Sequence, residues 1–167
     1  AIINVINKEK IEEIKKARDK AIILVGFGGG FRRTELISID YEDLEFVTEG
    51  VKITIKRSKT DQFGEGMIKG LPYFANETYC PVAHLKKWIK ISNIKDGAIF
   101  RRFAKGCSLT SNRLTDQSVV LLIKSYLELA GIENKNYSGH SLRSGFATVS
   151  AESGANERSI MAMTGHK

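Results

Sequence analysis

The sequence predicts an α+β domain, mainly helical, with a small three-stranded antiparallel sheet near its N-terminal third. Three observations carry that expectation. Apolar residues recur at a helical period over residues 8–25, at Ile11, Ile14, Ala17, Ala21, Ile22 and Val25. The period then changes: in "GVKITIKR", Val51, Ile53 and Ile55 alternate with Lys52, Thr54 and Lys56, the pattern of a half-buried strand with a basic outer face. Beyond Pro81 the helical period returns. A run of strands set between helices, rather than strands alternating with helices, is an α+β plan and not a parallel α/β one.

The elements come in order along the chain. The first helix carries Lys and Glu on its outer face, with Glu12 four residues before Lys16. Glycines 26, 28, 29 and 30 are expected to end or loosen it, and "RRTELISI" to form a short helical turn. "LEFV" and "MIKGL" flank the middle strand as its partners, and the polar stretch "SKTDQFGEG" makes the turn between the second and third strands. Helices are then expected through "VAHLKKWIKI", "TDQSVVLLIKSYLELAG", "HSLRSGFATVSAESG" and "NERSIMAMTG". Thr115 or Asp116 caps the second of these and Asn156 the last, while Gly131 and Gly154 are terminators.

Composition narrows the partners. The 167 residues suffice for one domain with its own core. Lys plus Arg number 26 against 19 Asp plus Glu, a net charge of +7, which favours a polyanion such as nucleic acid or an anionic membrane surface. No apolar run approaches the roughly 18 residues of a spanning helix, and "AIILVGFGGGF" is broken by glycines. Neither a membrane partner nor a signal peptide is expected. Cys80 and Cys107 are too few for a disulfide framework, so the cytoplasm is the expected compartment. "CPVAH" offers one Cys and one His but no second ligand pair, so no metal is expected.

"GFGGGF" resembles a phosphate cradle and fails the test for one. A dinucleotide fingerprint needs Gly where Phe31 stands and should come after a strand, and no Gly-Lys-Ser/Thr completes a P-loop. The glycines are better read as a tight turn that sets "FRRTEL" in place. There, Arg32 and Glu35 lie three apart, so the carboxylate can hold the guanidinium. Alone, each of Arg32, Lys59, His140, Arg143 and His166 has an ordinary surface or core explanation. Together they suit one task, gripping a phosphodiester. Two guanidiniums bind the non-bridging oxygens and stabilise a pentacoordinate transition state. Arg143 near a helix start would add, for the phosphate, the favourable positive end of a helix dipole. Imidazoles donate to the phosphate or move a proton, and a hairpin lysine protonates the leaving 5′ oxygen. No acidic cluster of the two-metal type is evident, and no cofactor is expected.

At these residues the chain resembles the tyrosine recombinase (phage integrase) family. "RDKAIILVGFGGGFRRTELISI" is similar to the family's first box, with Phe31 in place of Leu. "SKTDQ", "CPVAHLKKWI", "HSLRSGFAT" and "MTGHK" come after it in family order. The resemblance implies the catalytic domain of a DNA breaking-rejoining enzyme over residues 1–167. It implies metal-free transesterification through a 3′-phosphotyrosyl intermediate in site-specific recombination or integration. It makes Arg32 and Arg143 the catalytic arginines, His140 the box histidine, His166 the late phosphate donor and Lys59 the general acid. Glu35 becomes the partner of the arginine cluster. Arg57 and Lys69 remain rivals to Lys59, and with Arg33 they are the further expected DNA contacts.

In the family the nucleophilic tyrosine comes after the late histidine, on the next helix, so the resemblance places it just after Lys167. None of Tyr41, Tyr73, Tyr79, Tyr126 and Tyr137 holds that position. The 167 residues alone are therefore expected to bind DNA phosphate without cleaving it. The amino-terminal DNA-clamping domain is expected before Ala1. Double-stranded DNA is the expected partner, with a tetramer on DNA for the full-length protein and a monomer for this chain. Two alternatives stand beside this reading: a non-catalytic DNA-binding module derived from a recombinase, and a type IB topoisomerase-like enzyme.

Overall fold

The computed structural model describes residues 2–56, 64, 66–135 and 137. Helix α1 (Ile2–Lys8) leads into α2 (Glu13–Gly28), the central helix. The periodic face holds within α2, where Ala17, Ala21, Ile22 and Val25 are buried and Ile14 is half-buried. The helical period expected over residues 8–25 is broken before Glu13, and Ile11 lies ahead of the helix. The glycines end α2 as expected, though Gly26 is still within the helix. It runs to Gly28, and the chain turns only at Gly29 and Gly30.

That turn is steric in origin. A Cβ on Gly29 would stand 2.2 Å from Cε2 of Phe31, and Gly30 takes a left-handed φ of +58°. The reversal sinks Phe31 completely into the core, its N–H donating to the Gly26 carbonyl at 3.0 Å. The short helix α3 (Arg33–Ser38) starts at once, with Arg32 at its N-cap.

Strands β1 (Leu44–Val47), β2 (Gly50–Ile55) and β3 (Met67–Pro72) form an antiparallel sheet in the order β1-β2-β3. Val51, Ile53 and Ile55 face the core and Lys52, Thr54 and Lys56 face out, as the alternation predicts. In the β2–β3 register Val51 opposes Leu71, Ile53 opposes Lys69 and Ile55 opposes Met67. Lys69 therefore stands on the inner face of the sheet. Most of the turn expected at "SKTDQFGEG" lies outside the described residues.

Helix α4 (Pro81–Ser92) begins with Pro at its first position, and the Cys80 sulfur accepts the Ala83 N–H at 3.5 Å. Trp88 is fully buried and its indole N–H donates to the Ile99 carbonyl at 2.9 Å. After α4 the structure adds a hairpin that the sequence does not predict. Strands β4 (Arg101–Ala104) and β5 (Ser108–Arg113) make a second antiparallel sheet, turned through positive φ at Gly106 and Cys107. Both strands are largely polar and bury no alternating apolar face, so they lack the period-two signal.

Helix α5 (Asp116–Leu129) is capped by Thr115, whose hydroxyl oxygen accepts the Ser118 N–H at 3.2 Å. Gly131, just past its end, is in the left-handed conformation. The two helices expected through "HSLRSGFATVSAESG" and "NERSIMAMTG" lie outside the described residues. A buried polar link ties α5 to α2. Tyr126 donates to Asp19 at 2.6 Å, and Arg18 grips the other carboxylate oxygen of Asp19 at 2.8 and 2.9 Å. Among the described residues, no helix is long and apolar enough to cross a membrane.

Candidate functional site

The start of α3 is organised by one carboxylate. Glu35 is 1% exposed. Its Oε2 accepts the backbone N–H of Arg32 at 2.9 Å, and its Oε1 accepts from the Arg32 guanidinium at 3.1 Å. The first contact satisfies one of the orphan donors at a helix start, and it requires an acceptor at the third helical position. The second anchors the guanidinium, whose side chain keeps 11% of its surface exposed. The same residue thus sets both the backbone and the side chain of Arg32.

Lys69 reaches this carboxylate from behind. Its ammonium lies 3.8 Å from Glu35 Oε2, donates to the carbonyls of Gly29 at 3.1 Å and Gly30 at 3.3 Å, and sits 4.6 Å from the centre of the Phe31 ring. The sequence places Lys69 among the expected DNA contacts of the hairpin. The structure buries it, leaving 3% exposed, because β3 pairs it with Ile53 on the inner face. The signal is present in "MIKGLP": Lys69 shares the parity of Met67 and Leu71, whereas Ile68 is the residue left exposed.

Arg33 extends instead toward α5, with Nε 3.4 Å from Asp116 Oδ2, and both side chains stay partly exposed. The structure also holds a second ionic knot, which no spacing in the sequence announces. Asp40 accepts from Lys56 at 2.8 Å and from Arg113, and Arg113 also donates to the Ile37 carbonyl at 2.8 Å. Burial pushes the Asp40 carboxyl up, but the hydrogen bonds from Lys56 and Arg113 outweigh it and hold the group below the usual carboxylate range. The hydrogen bond to Asp40 raises Lys56, helped by Asp43 at 3.2 Å. Lys56 points out with its strand face, as expected, and is committed to these two carboxylates.

Lys59, Arg57, His140, Arg143 and His166 lie outside the described residues. Of the five residues of the expected constellation the described residues hold Arg32 alone, with its expected partner Glu35 and the expected DNA contacts Arg33 and Lys69. Two of the tyrosines are ill suited to nucleophilic attack. Burial, together with the hydrogen bond to Asp19, pushes the Tyr126 hydroxyl far up, and burial raises Tyr137 to about 12. Tyr137 packs against the core.

The fold is that of the tyrosine recombinases. XerH site-specific recombinase, in a post-cleavage complex with a palindromic difH substrate, superposes with a TM-score of 0.76 at 20% identity, over 99% of this chain and 43% of that one. XerA recombinase gives a TM-score of 0.70 at 20% identity, over 99% of this chain and 52% of that one. In sequence, the integrase/recombinase xerD homolog of Selenomonas ruminantium is 44% identical over 156 residues, 93% of this chain and 46% of the relative. Tyrosine recombinase XerD of Staphylococcus haemolyticus is 32% identical over 151 residues, 89% of this chain and 46% of the relative. The chain thus spans just under half the length of these two relatives. The phage integrase family matches residues 1–167, and the chain belongs to that family.

Proposed function

We propose that this chain is the phosphate-gripping catalytic domain of a site-specific DNA recombinase. The observation that carries the reading is the doubly anchored Arg32: a guanidinium fixed by a buried carboxylate, in the stretch that resembles the family's first box. A pre-set guanidinium binds a phosphodiester with little reorganisation and stabilises charge that develops on its oxygens. In this reading Arg143 is its counterpart, His140 and His166 hold the phosphate and move protons, and Lys59 protonates the leaving 5′ oxygen. Arg33 and Arg57 add DNA contacts. None of the five tyrosines is assigned as the nucleophile, so the chain by itself grips DNA without breaking it.

Double-stranded DNA is the proposed partner, supported by the +7 charge. The two recombinase-DNA complexes of XerH with difH concern that protein and lend the reading the same fold. The whole gene product is proposed to act as a tetramer on DNA, and this chain to be a monomer. The chemistry is tested in the gene product that contains this chain. Lys59→Ala should slow strand cleavage and leave DNA affinity nearly intact. A substrate with a 5′-thio leaving group, which needs less protonation, should restore the rate. If the thio substrate restores nothing, Lys59 is not the acid.

A further inference from the structure

A buried ammonium stands behind the Arg32 anchor, and phosphate binding by Arg32 alone gives it no task. Lys69 reaches Arg32 through one shared group: Glu35 Oε2 faces the Lys69 ammonium at 3.8 Å and accepts the Arg32 N–H at 2.9 Å, while Oε1 holds the guanidinium at 3.1 Å. Lys69 also touches the Gly29 and Gly30 carbonyls and the face of Phe31, contacts that fix the turn that delivers Arg32 to the helix start.

Charge counting shows what this arrangement does. Arg32 and Glu35 alone form a neutral pair, whose carboxylate competes with any incoming phosphate for the guanidinium. With Lys69 the triad carries one net positive charge, and the carboxylate is compensated from the protein interior. A buried carboxylate needs such compensation. In the low-dielectric surroundings of a residue 3% exposed, that charge is weakly screened.

We propose that Lys69 is a positioning residue for Arg32. It neutralises Glu35 from behind and locks the glycine turn, so that the Arg32–Glu35–Lys69 triad offers a net positive charge to a DNA phosphate through Arg32, and it does not itself touch DNA. The inference rests on the reading of Arg32 as a phosphate ligand.

The test is a double-mutant cycle on this chain with a short DNA duplex, read by fluorescence anisotropy at about 50 and about 200 mM salt. Arg32→Ala should weaken binding about tenfold, and Lys69→Met by a similar factor although its side chain is buried. In the double variant the second loss should vanish, and the salt slope should stay at the Arg32→Ala value. A direct Lys69–phosphate contact would give additive losses and lower the log–log slope by a further ~0.9. A purely structural role would give additive losses with a lowered melting temperature. Either result overturns the inference. If Arg32→Ala leaves affinity unchanged, the reading of Arg32 itself has failed. If Arg32→Ala weakens binding and Lys69→Met does not, only the role of Lys69 falls. Should Lys69→Met not fold, Lys69→Gln, which keeps an amide donor for the turn carbonyls, carries the same expectation and the same contrary results.

Discussion

Glu35 holds Arg32 by two atoms at once, its Oε2 on the backbone N–H at 2.9 Å and its Oε1 on the guanidinium at 3.1 Å. Removing this carboxylate leaves two cations facing a buried space. Breaking one side of a buried ionic cluster costs ~3–5 kcal/mol. Glu35→Ala should therefore lower unfolding free energy by about that amount, measured by urea titration with the single Trp88 as the fluorescent probe. A loss below ~1 kcal/mol would show that the cluster contributes little to folding.

Tyr126 and Asp19 join α5 to α2 through a buried bond of 2.6 Å. Tyr126→Phe keeps the ring and deletes the donor, leaving Asp19 Oδ2 without that partner. Hydrogen bonds to charged groups contribute ~1.5–3 kcal/mol, and the same urea titration should show a loss in that range. A variant as stable as the parent would contradict the assignment of this contact as a strut between the helices.

Acid should act partly through Asp40. Lys56 and Arg113 hold its carboxyl below the usual carboxylate range in the folded state. A depressed folded value means that the group stabilises the fold above its unfolded pKa of about 3.9, and that the contribution is lost as pH falls through the folded value. Lys56 works at the other end: its raised value gives stability that is fully present below an unfolded pKa of about 10.4 and lost as pH rises through the folded value. Asp40→Asn should flatten the acid limb of the stability-pH curve. An unchanged acid limb in that variant would rule Asp40 out as a contributor.

Much of this fold is written in periodicity. Val51, Ile53 and Ile55 alternate because one face of β2 is buried, and Ala17, Ala21 and Val25 recur because one face of α2 is. The β4–β5 hairpin escapes because its strands bury no alternating face, so only pairing and the turn at Gly106 and Cys107 define them. In the site, Arg32 and Glu35 are legible from their spacing, since residues three apart share a helical face. The burial of Lys69 is not legible at first sight, because a lysine near a hairpin is ordinarily solvated. Its inward parity outweighs that habit once Glu35 and two carbonyls are there to receive the charge.

Everything proposed for the site turns on Arg32 presenting its positive charge to a DNA phosphate. The decisive measurement is the affinity of this chain and of Arg32→Ala for a short duplex, at about 50 and about 200 mM salt. Binding should weaken steeply with salt, Arg32→Ala should lose about tenfold or more, and the variant should show the shallower salt slope. Equal affinities for parent and variant at both salt concentrations would contradict the role given to Arg32.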